Sequence, residues 1–376
     1  MQQVDHALLS PSLGCQKFLR SFHFGTPGAR PKVYIQASLH AEEIPGMLVA
    51  HHLLPLLQAE QDNGNICGEV IVVPVANPIG LAQRLDHKPM GRFELNSSEN
   101  FNRHYPDLAK ATLPVVQDLL GEDPQANVTV IRKAMSDFLQ AWTPTTELQC
   151  LRRILLQLAF DADVVLDLHC DCESVLHFYT EESCWPQLEP VARLLGSRAI
   201  LLARNSGCGP FDECLSGAWW QLAQALKTIG HNAPVPQACC SATIELRGEA
   251  EVSHALAQTD ARALMASLQH IGAVRCPAPP PLPAPLCHAT PLAGSETLTA
   301  AVPGLVVFAA EPGQSLEVGD LVAEIIDPIA QQTHRVLAGV AGVFYARIRD
   351  RYVCAGGELG KIAGDKPFRT GNLLGV

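Results

Sequence analysis

Residues 33–54 read VYIQASLHAEEIPGMLVAHHLL, and the change of period inside this stretch decides the fold. VYIQAS is a short apolar run of the length of a buried strand. From Ile44 onward the apolar spacing turns helical, with Pro45 and Gly46 at its start, a position at which proline is tolerated. LHAEE at 39–43 falls between the two, at the carboxyl end of a strand, where open α/β sheets bind their ligands.

The same switch recurs outward to about residue 272. Strands are predicted at 32–38, 69–76, 163–168, 174–179, 199–203 and 241–246, and helices at 44–61, 186–196, 213–230 and 252–271. Residues 107–160 carry helical spacing without a good strand, so two or three helices are predicted there. Apolar strands alternating with amphipathic helices specify an α/β fold, a mixed, mostly parallel sheet flanked by helices. The composition then changes: residues 276–291 hold seven prolines, which reads as an extended connector. Beyond it the chain is strand and turn, with nine glycines between 304 and 364 and no convincing helix. The expected organisation is an α/β domain at 1–275, a Pro-rich linker at 276–291 and a smaller all-β domain at 292–376.

Three segments carry chemistry. His40 and Glu43 are spaced HxxE after the first strand, a donor pair that suits Zn²⁺; by itself the match is weak, and two acids at a helix start are also what the macrodipole favours. VVLDLH at 164–169 ends a second buried strand on His169. Two His and one Glu are the three protein ligands of an open catalytic zinc, with the fourth position left for water, and Asp167 lies on the His169 face to support it. In ATIELRG at 242–248 a single carboxylate, Glu245, interrupts an apolar strand. Burying it is costly unless it is used, and near an activated water it would be a general base. Between these segments Arg92 and Arg103 can fork onto a carboxylate as Lys cannot, although Arg103 also fits an ordinary ion pair at a helix start.

HAEE at 40–43, ANP at 76–78, NFNR at 100–103, DLHCD at 167–171 and TIELRG at 243–248, in that order, resemble the zinc carboxypeptidase superfamily, and within it the succinylglutamate desuccinylase/aspartoacylase family. The resemblance spans residues 33 to about 271. It implies a zinc-carboxypeptidase-like catalytic domain at 1–275 with one Zn²⁺ per chain held by His40, Glu43 and His169, Glu43 being preferred to Glu42 by the HxxE spacing. It makes Glu245 the general base, gives Asn102 and Arg103 a substrate carboxylate, and asks for an upstream Arg at the oxyanion, for which Arg92 is the best match and Arg84 competes. The implied activity is zinc-dependent hydrolysis, through a metal-activated water, of the amide of an N-acyl amino acid or similar small carboxylated amide. A carboxypeptidase acting on peptides or cell-wall fragments is the alternative, and a non-catalytic metal-binding scaffold the third. Residues 309–321 and 336–343 resemble the barrel-sandwich hybrid of biotinyl/lipoyl domains. Their turn lacks the modifiable Lys, Lys361 lying in the last strand, so no biotin or lipoyl group is expected. In such proteins the β-domain caps or flanks the site, with a role in homo-oligomer assembly as a further implication.

Other features have blander readings. His51-His52 read as surface or structural residues. Asp171 and Glu173 are candidates to shape the pocket beside His169. The Gly-rich stretch 205–213 lacks the Lys-Ser/Thr of a phosphate cradle and reads as a substrate-covering loop, and the chain has no GxSxG elbow. Composition narrows the partners. With 27 Lys plus Arg against 38 Asp plus Glu, a net charge of −11 and no basic run, a nucleic-acid backbone finds no footprint. No uncharged apolar run reaches the roughly 18 residues of a membrane span. The first twenty residues lack the pattern of a secretory signal, so a cytoplasmic protein is expected, its thirteen Cys mostly small core hydrophobes.

Overall fold

The computed structural model describes residues 1–207 and 209–374. In chain order the first half contains β1 (Gln2–Ala7), β2 (Phe18–Gly25), β3 (Lys32–Ala37), α1 (Pro45–Asp62), β4 (Glu69–Val73), a short α2 (Pro78–Leu81) and the two-residue strands β5 (Arg84–Leu85) and β6 (Lys88–Pro89). Three helices follow, α3 (Leu108–Val116), α4 (Pro124–Ala141) and α5 (Glu147–Ala159). Next come β7 (Val164–Asp171), β8 (Glu173–Ser174), β9 (His177–Glu181), α6 (Trp185–Leu195), β10 (Ala199–Ala203), α7 (Phe211–Thr228), β11 (Cys240–Gly248) and α8 (His254–Ile271). The last part is β12 (Ala289–Pro291), a 3₁₀ turn, β13 (Ser295–Thr299), β14 (Gly304–Phe308), β15 (Ser315–Leu316), β16 (Leu321–Asp327), β17 (Gln332–Leu337), β18 (Gly342–Arg347), β19 (Tyr352–Val353) and β20 (Glu358–Gly364).

Nine strands form one sheet in the order β1-β2-β4-β3-β7-β11-β9-β10-β12. Its centre is parallel, β3 with β4 and β7, and β7 with β11; β9 runs antiparallel to β11 and restarts a parallel group with β10 and β12. Such a sheet must be covered on both faces, and it is. Val33, Ile35, Leu166, Ile244 and their neighbours pack under residues of α1, α6 and α8, while Tyr34, Ile71 and Val165 face α3, α4, α5 and α7. Gly46 permits this closeness at α1, since a Cβ there would stand 3.0 Å from Ala37 Cβ and 3.2 Å from Leu168 Cβ. Leu166 is fully buried in β7, so Leu166→Ala is expected to lower the unfolding free energy by about 2–5 kcal/mol. A urea midpoint that fails to fall at unchanged slope would contradict this packing.

The predicted elements between residues 31 and 272 form, with shifted ends. The expected strand 163–168 runs on to Asp171, so His169 sits inside it, and 174–179 divides into β8 and β9. Residues 107–160 form three helices. The hairpin β1–β2 went unread because its outer strand alternates exposed and half-buried residues and contains Gln2, Gln3, Asp5 and His6 rather than an apolar run. The Pro-rich stretch ends in β12, whose Thr290 bonds Ile200 O at 3.2 Å as the edge strand of the large sheet.

Beyond it the chain forms two antiparallel sheets, β13-β20-β18-β15 and β17-β16-β14-β19, packed around Leu298, Val306, Ile325, Phe344, Leu359 and Ile362. The two bodies are stitched together: β8 pairs antiparallel with β18, Ser174 opposite Ala346 and Glu173 opposite Arg347. The Glu173 carboxylate accepts from Arg347 at 2.6 Å and Arg351 at 2.7 Å. No helix among the described residues is long and apolar enough to cross a membrane, and the twelve described cysteines are free thiols.

Candidate metal centre

Three parallel strands deliver the centre. β3 ends at Ala37, and Ser38 turns the chain with φ of 59°, its hydroxyl donating to Glu43 O at 2.9 Å. The loop closes on itself through Glu43 N to His40 O at 3.0 Å, which brings the side chains of the HxxE pair together. His169 comes from β7, the neighbouring strand, and Glu245 lies opposite His169 in the register of β11. Asp167 and Thr243 form the previous pair on the same face.

His40, Glu43 and His169 are buried, and their donor atoms all lie within 4.8 Å of one another. Glu43 Oε1 is 2.9 Å from His40 Nδ1 and Oε2 is 2.7 Å from His169 Nδ1. The outer ring nitrogens face acceptors: His40 Nε2 is 2.9 Å from Asn100 Oδ1, and His169 Nε2 is 3.1 Å from Asp167 Oδ2. A proton on His40 Nε2 satisfies Asn100 and leaves the Nδ1 lone pair aimed at an anion, whereas His169 Nε2 and Asp167 are close without the alignment of a hydrogen bond. Two imidazole nitrogens and a carboxylate converging in a buried space are the donor set of a zinc site, which displaces any proton held between them.

The two imidazoles differ electrostatically. Burial, and then the Arg92 charge, hold His40 down to about 4. Burial opposes charge on His169 too, but the Asp167 and Glu43 carboxylates outweigh it and hold its pKa well above the ordinary value. Glu43 is kept well below the usual carboxylate range by the two imidazoles, against the cost of its burial. Burial and the charge of Glu43 push Glu245 up to about 8, and its buried Oε2 has no hydrogen-bond partner among the described residues.

Of the two competing arginines, Arg92 reaches the centre: Nη2 donates to Glu43 Oε1 at 2.7 Å, and Nε lies 3.5 Å from Glu42. Gly91 makes this approach, because a Cβ there would fall 2.3 Å from Glu42 N. Arg84 lies on the exposed β5–β6 hairpin and does not line the pocket. Glu42 holds Gly91 N at 2.9 Å and leaves the ligand cluster to Glu43. Asn102 and Arg103 are buried at the pocket wall; Phe211 N donates to Asn102 Oδ1 at 2.8 Å, and Arg103 Nη1 to Asn102 O at 2.7 Å.

The pocket holds about 600 Å³ and is finished by the second body. Lys361 on β20 enters it and pairs with Asp171 at 2.9 Å and Glu358 at 3.3 Å, while Leu373 and Leu374 close another side. Leu373 N bonds Ser206 O at 2.8 Å, so the chain's end clasps the 205–213 stretch; Cys208 of that stretch lies outside the described residues. Asp171 lines the pocket as expected, whereas Glu173 serves the clasp to Arg347 instead. His52 meets His254 at 2.9 Å on the outer surface of α1 and α8. Sequence reasoning missed Asn100, Asp212 and Lys361 as pocket or support residues. Asn100 stood inside the NFNR motif, and Asp212 and Lys361 carried no local signal.

Comparison with known proteins gives a consistent result. The model of the succinylglutamate desuccinylase/aspartoacylase catalytic domain matches residues 29–271. A solved protein assigned to that family, from Shewanella amazonensis, is 25% identical, with TM-score 0.82 and coverage of 96% of this chain and 98% of its own. Another, from Shewanella frigidimarina, is 25% identical, with TM-score 0.83 and 97% of each chain covered. The ectoine utilization protein EutE (DoeB) of Ruegeria pomeroyi, solved with product bound, shares the fold at 15% identity and TM-score 0.65, over 96% of this chain and 93% of its own. No protein of curated function matches the sequence.

Proposed function

This chain belongs to the succinylglutamate desuccinylase/aspartoacylase family, and from that premise we propose that it is a zinc-dependent hydrolase cleaving the amide of a small N-acyl amino acid. The observation that carries the proposal is the convergence of His40 Nδ1, His169 Nδ1 and Glu43 with Glu245 as the register neighbour of His169. Zinc held by His40, Glu43 and His169 would supply Lewis acidity to the scissile carbonyl and to a water.

The chain's own residues do the rest. Glu245, buried and with an oxygen free of hydrogen bonds among the described residues, takes a proton from the attacking water and returns it to the leaving amine. Arg92, anchored on Glu43, places guanidinium donors beside the centre, where the carbonyl oxygen gains charge. Asn102 and Arg103 receive the substrate carboxylate and so fix the amide's position. Asn100 holds the His40 imidazole in one tautomer and orientation, and the Asp167 carboxylate lies 3.1 Å from His169 Nε2.

The pocket favours a small substrate over a peptide, because Leu373, Leu374 and Lys361 wall it from the second body. A zinc-loaded sample assayed against N-acyl amino acids, N-succinyl amino acids and short peptides is expected to cleave an N-acyl or N-succinyl amino acid and leave peptides intact. Peptide cleavage alone would replace this proposal by the carboxypeptidase alternative. Asn100→Ala is expected to weaken zinc binding about 10–100-fold in a chelator competition titration; unchanged affinity would show that His40 needs no such support.

A further inference from the structure

We propose that the amino-acid side of the pocket ends in a cation-binding subsite built on Asp212, so that the preferred substrates are N-acyl derivatives of basic amino acids. This rests on the hydrolase assignment above and names its substrate class. Asp212 stands in the first turn of α7, is 4% exposed and lines the pocket. Its Oδ1 is buried without a hydrogen-bond partner among the described residues, a costly arrangement unless a donor arrives.

The other described acids of the pocket are occupied, Glu245 aside. Glu43 is held by two imidazoles and Arg92, and Lys361 pairs with both Asp171 and Glu358. Glu213 accepts twice from Ser206 N, at 3.0 and 3.1 Å. Asp212 alone among them offers an unclaimed oxygen away from the reacting water. Burial and the nearby Asp167 carboxylate push it up to about 6, as expected of a site that would gain from an incoming positive charge.

Position assigns the subsite to the amine side of the scissile bond. Phe211, the residue before Asp212, donates its N–H to Asn102 Oδ1 at 2.8 Å. The carboxylate anchor and Asp212, whose other contacts are to Thr243 and the Glu213 backbone, are therefore held by one short piece of backbone. A substrate whose α-carboxylate sits at Asn102 and Arg103 turns its amino-acid side chain toward Asp212. An ammonium there would satisfy Oδ1 with a charge-assisted hydrogen bond. A carboxylate would meet like charge, and a methyl group would leave Oδ1 without a partner.

The test compares N-acetyl ornithine and N-acetyl lysine with N-acetyl norleucine and N-acetyl aspartate on the zinc-loaded, full-length protein. A kcat/KM preference of about 10²-fold for the basic substrates over norleucine is expected, and Asp212→Asn should bring that ratio to within a few-fold of one. A wild-type preference for norleucine or aspartate overturns the subsite, as does an Asp212→Asn variant that keeps the ratio. Calorimetric titration of wild-type protein with free ornithine and free norleucine decides independently of turnover and of the variant's folding. At least about tenfold tighter binding of ornithine is expected; equal affinities overturn the subsite. Failure to hydrolyse any N-acyl amino acid would instead count against the hydrolase assignment, so the two can fail separately.

Discussion

Glu245→Gln is expected to retain one zinc per chain by elemental analysis while kcat falls by about 10²–10⁴-fold, the range that a positioned general base contributes. The amide has nearly the shape of the carboxylate, so the pocket keeps its outline. What disappears is the ability to accept a proton at a buried oxygen that has no partner among the described residues. Ordinary effects of a core substitution work on stability, and Gln should cost little there, because burial pushes the wild-type acid up to about 8. Near wild-type turnover in this variant would remove Glu245 from the proton path and require another acceptor in the pocket.

His169→Ala should have an effect of a different kind. Its Nδ1 faces Glu43 and its Nε2 faces Asp167, both at hydrogen-bond distance, so the substitution deletes a ligand and strands two buried carboxylates at once. Loss of stoichiometric zinc and of all turnover above background is expected, together with lower stability, since removing one partner of a buried charged pair commonly costs about 3–5 kcal/mol. Elemental analysis and a thermal melt of the purified variant give both readouts. A folded variant that still carries one zinc would overturn the ligand set.

The large sheet was legible because its strands are apolar on both faces and its helices have one apolar stripe, a contrast that single residues cannot hide. His40, Glu43, His169 and Glu245 were legible because each breaks such a pattern at or near a strand's carboxyl end. Asn100 and Asp212 were not, because their significance lies in their surroundings: an imidazole nitrogen from another loop opposite Asn100, and for Asp212 a place on the pocket wall with one buried oxygen unpartnered among the described residues. Lys361 shows the same limit. In sequence it is one lysine in a β-strand, and only the pairing of β8 with β18 brings it to Asp171. The choice between Arg84 and Arg92 likewise depended on Gly91, whose missing side chain lets the following residue reach the centre.

The ladder of Glu173–Ser174 with Ala346–Arg347 gives the smaller body mechanical purchase on the larger one's chemistry. Lys361 grips Asp171, which lies two residues along the same strand from His169. One ion pair and two ladder positions therefore fasten the β-sheets to the strand that carries His169.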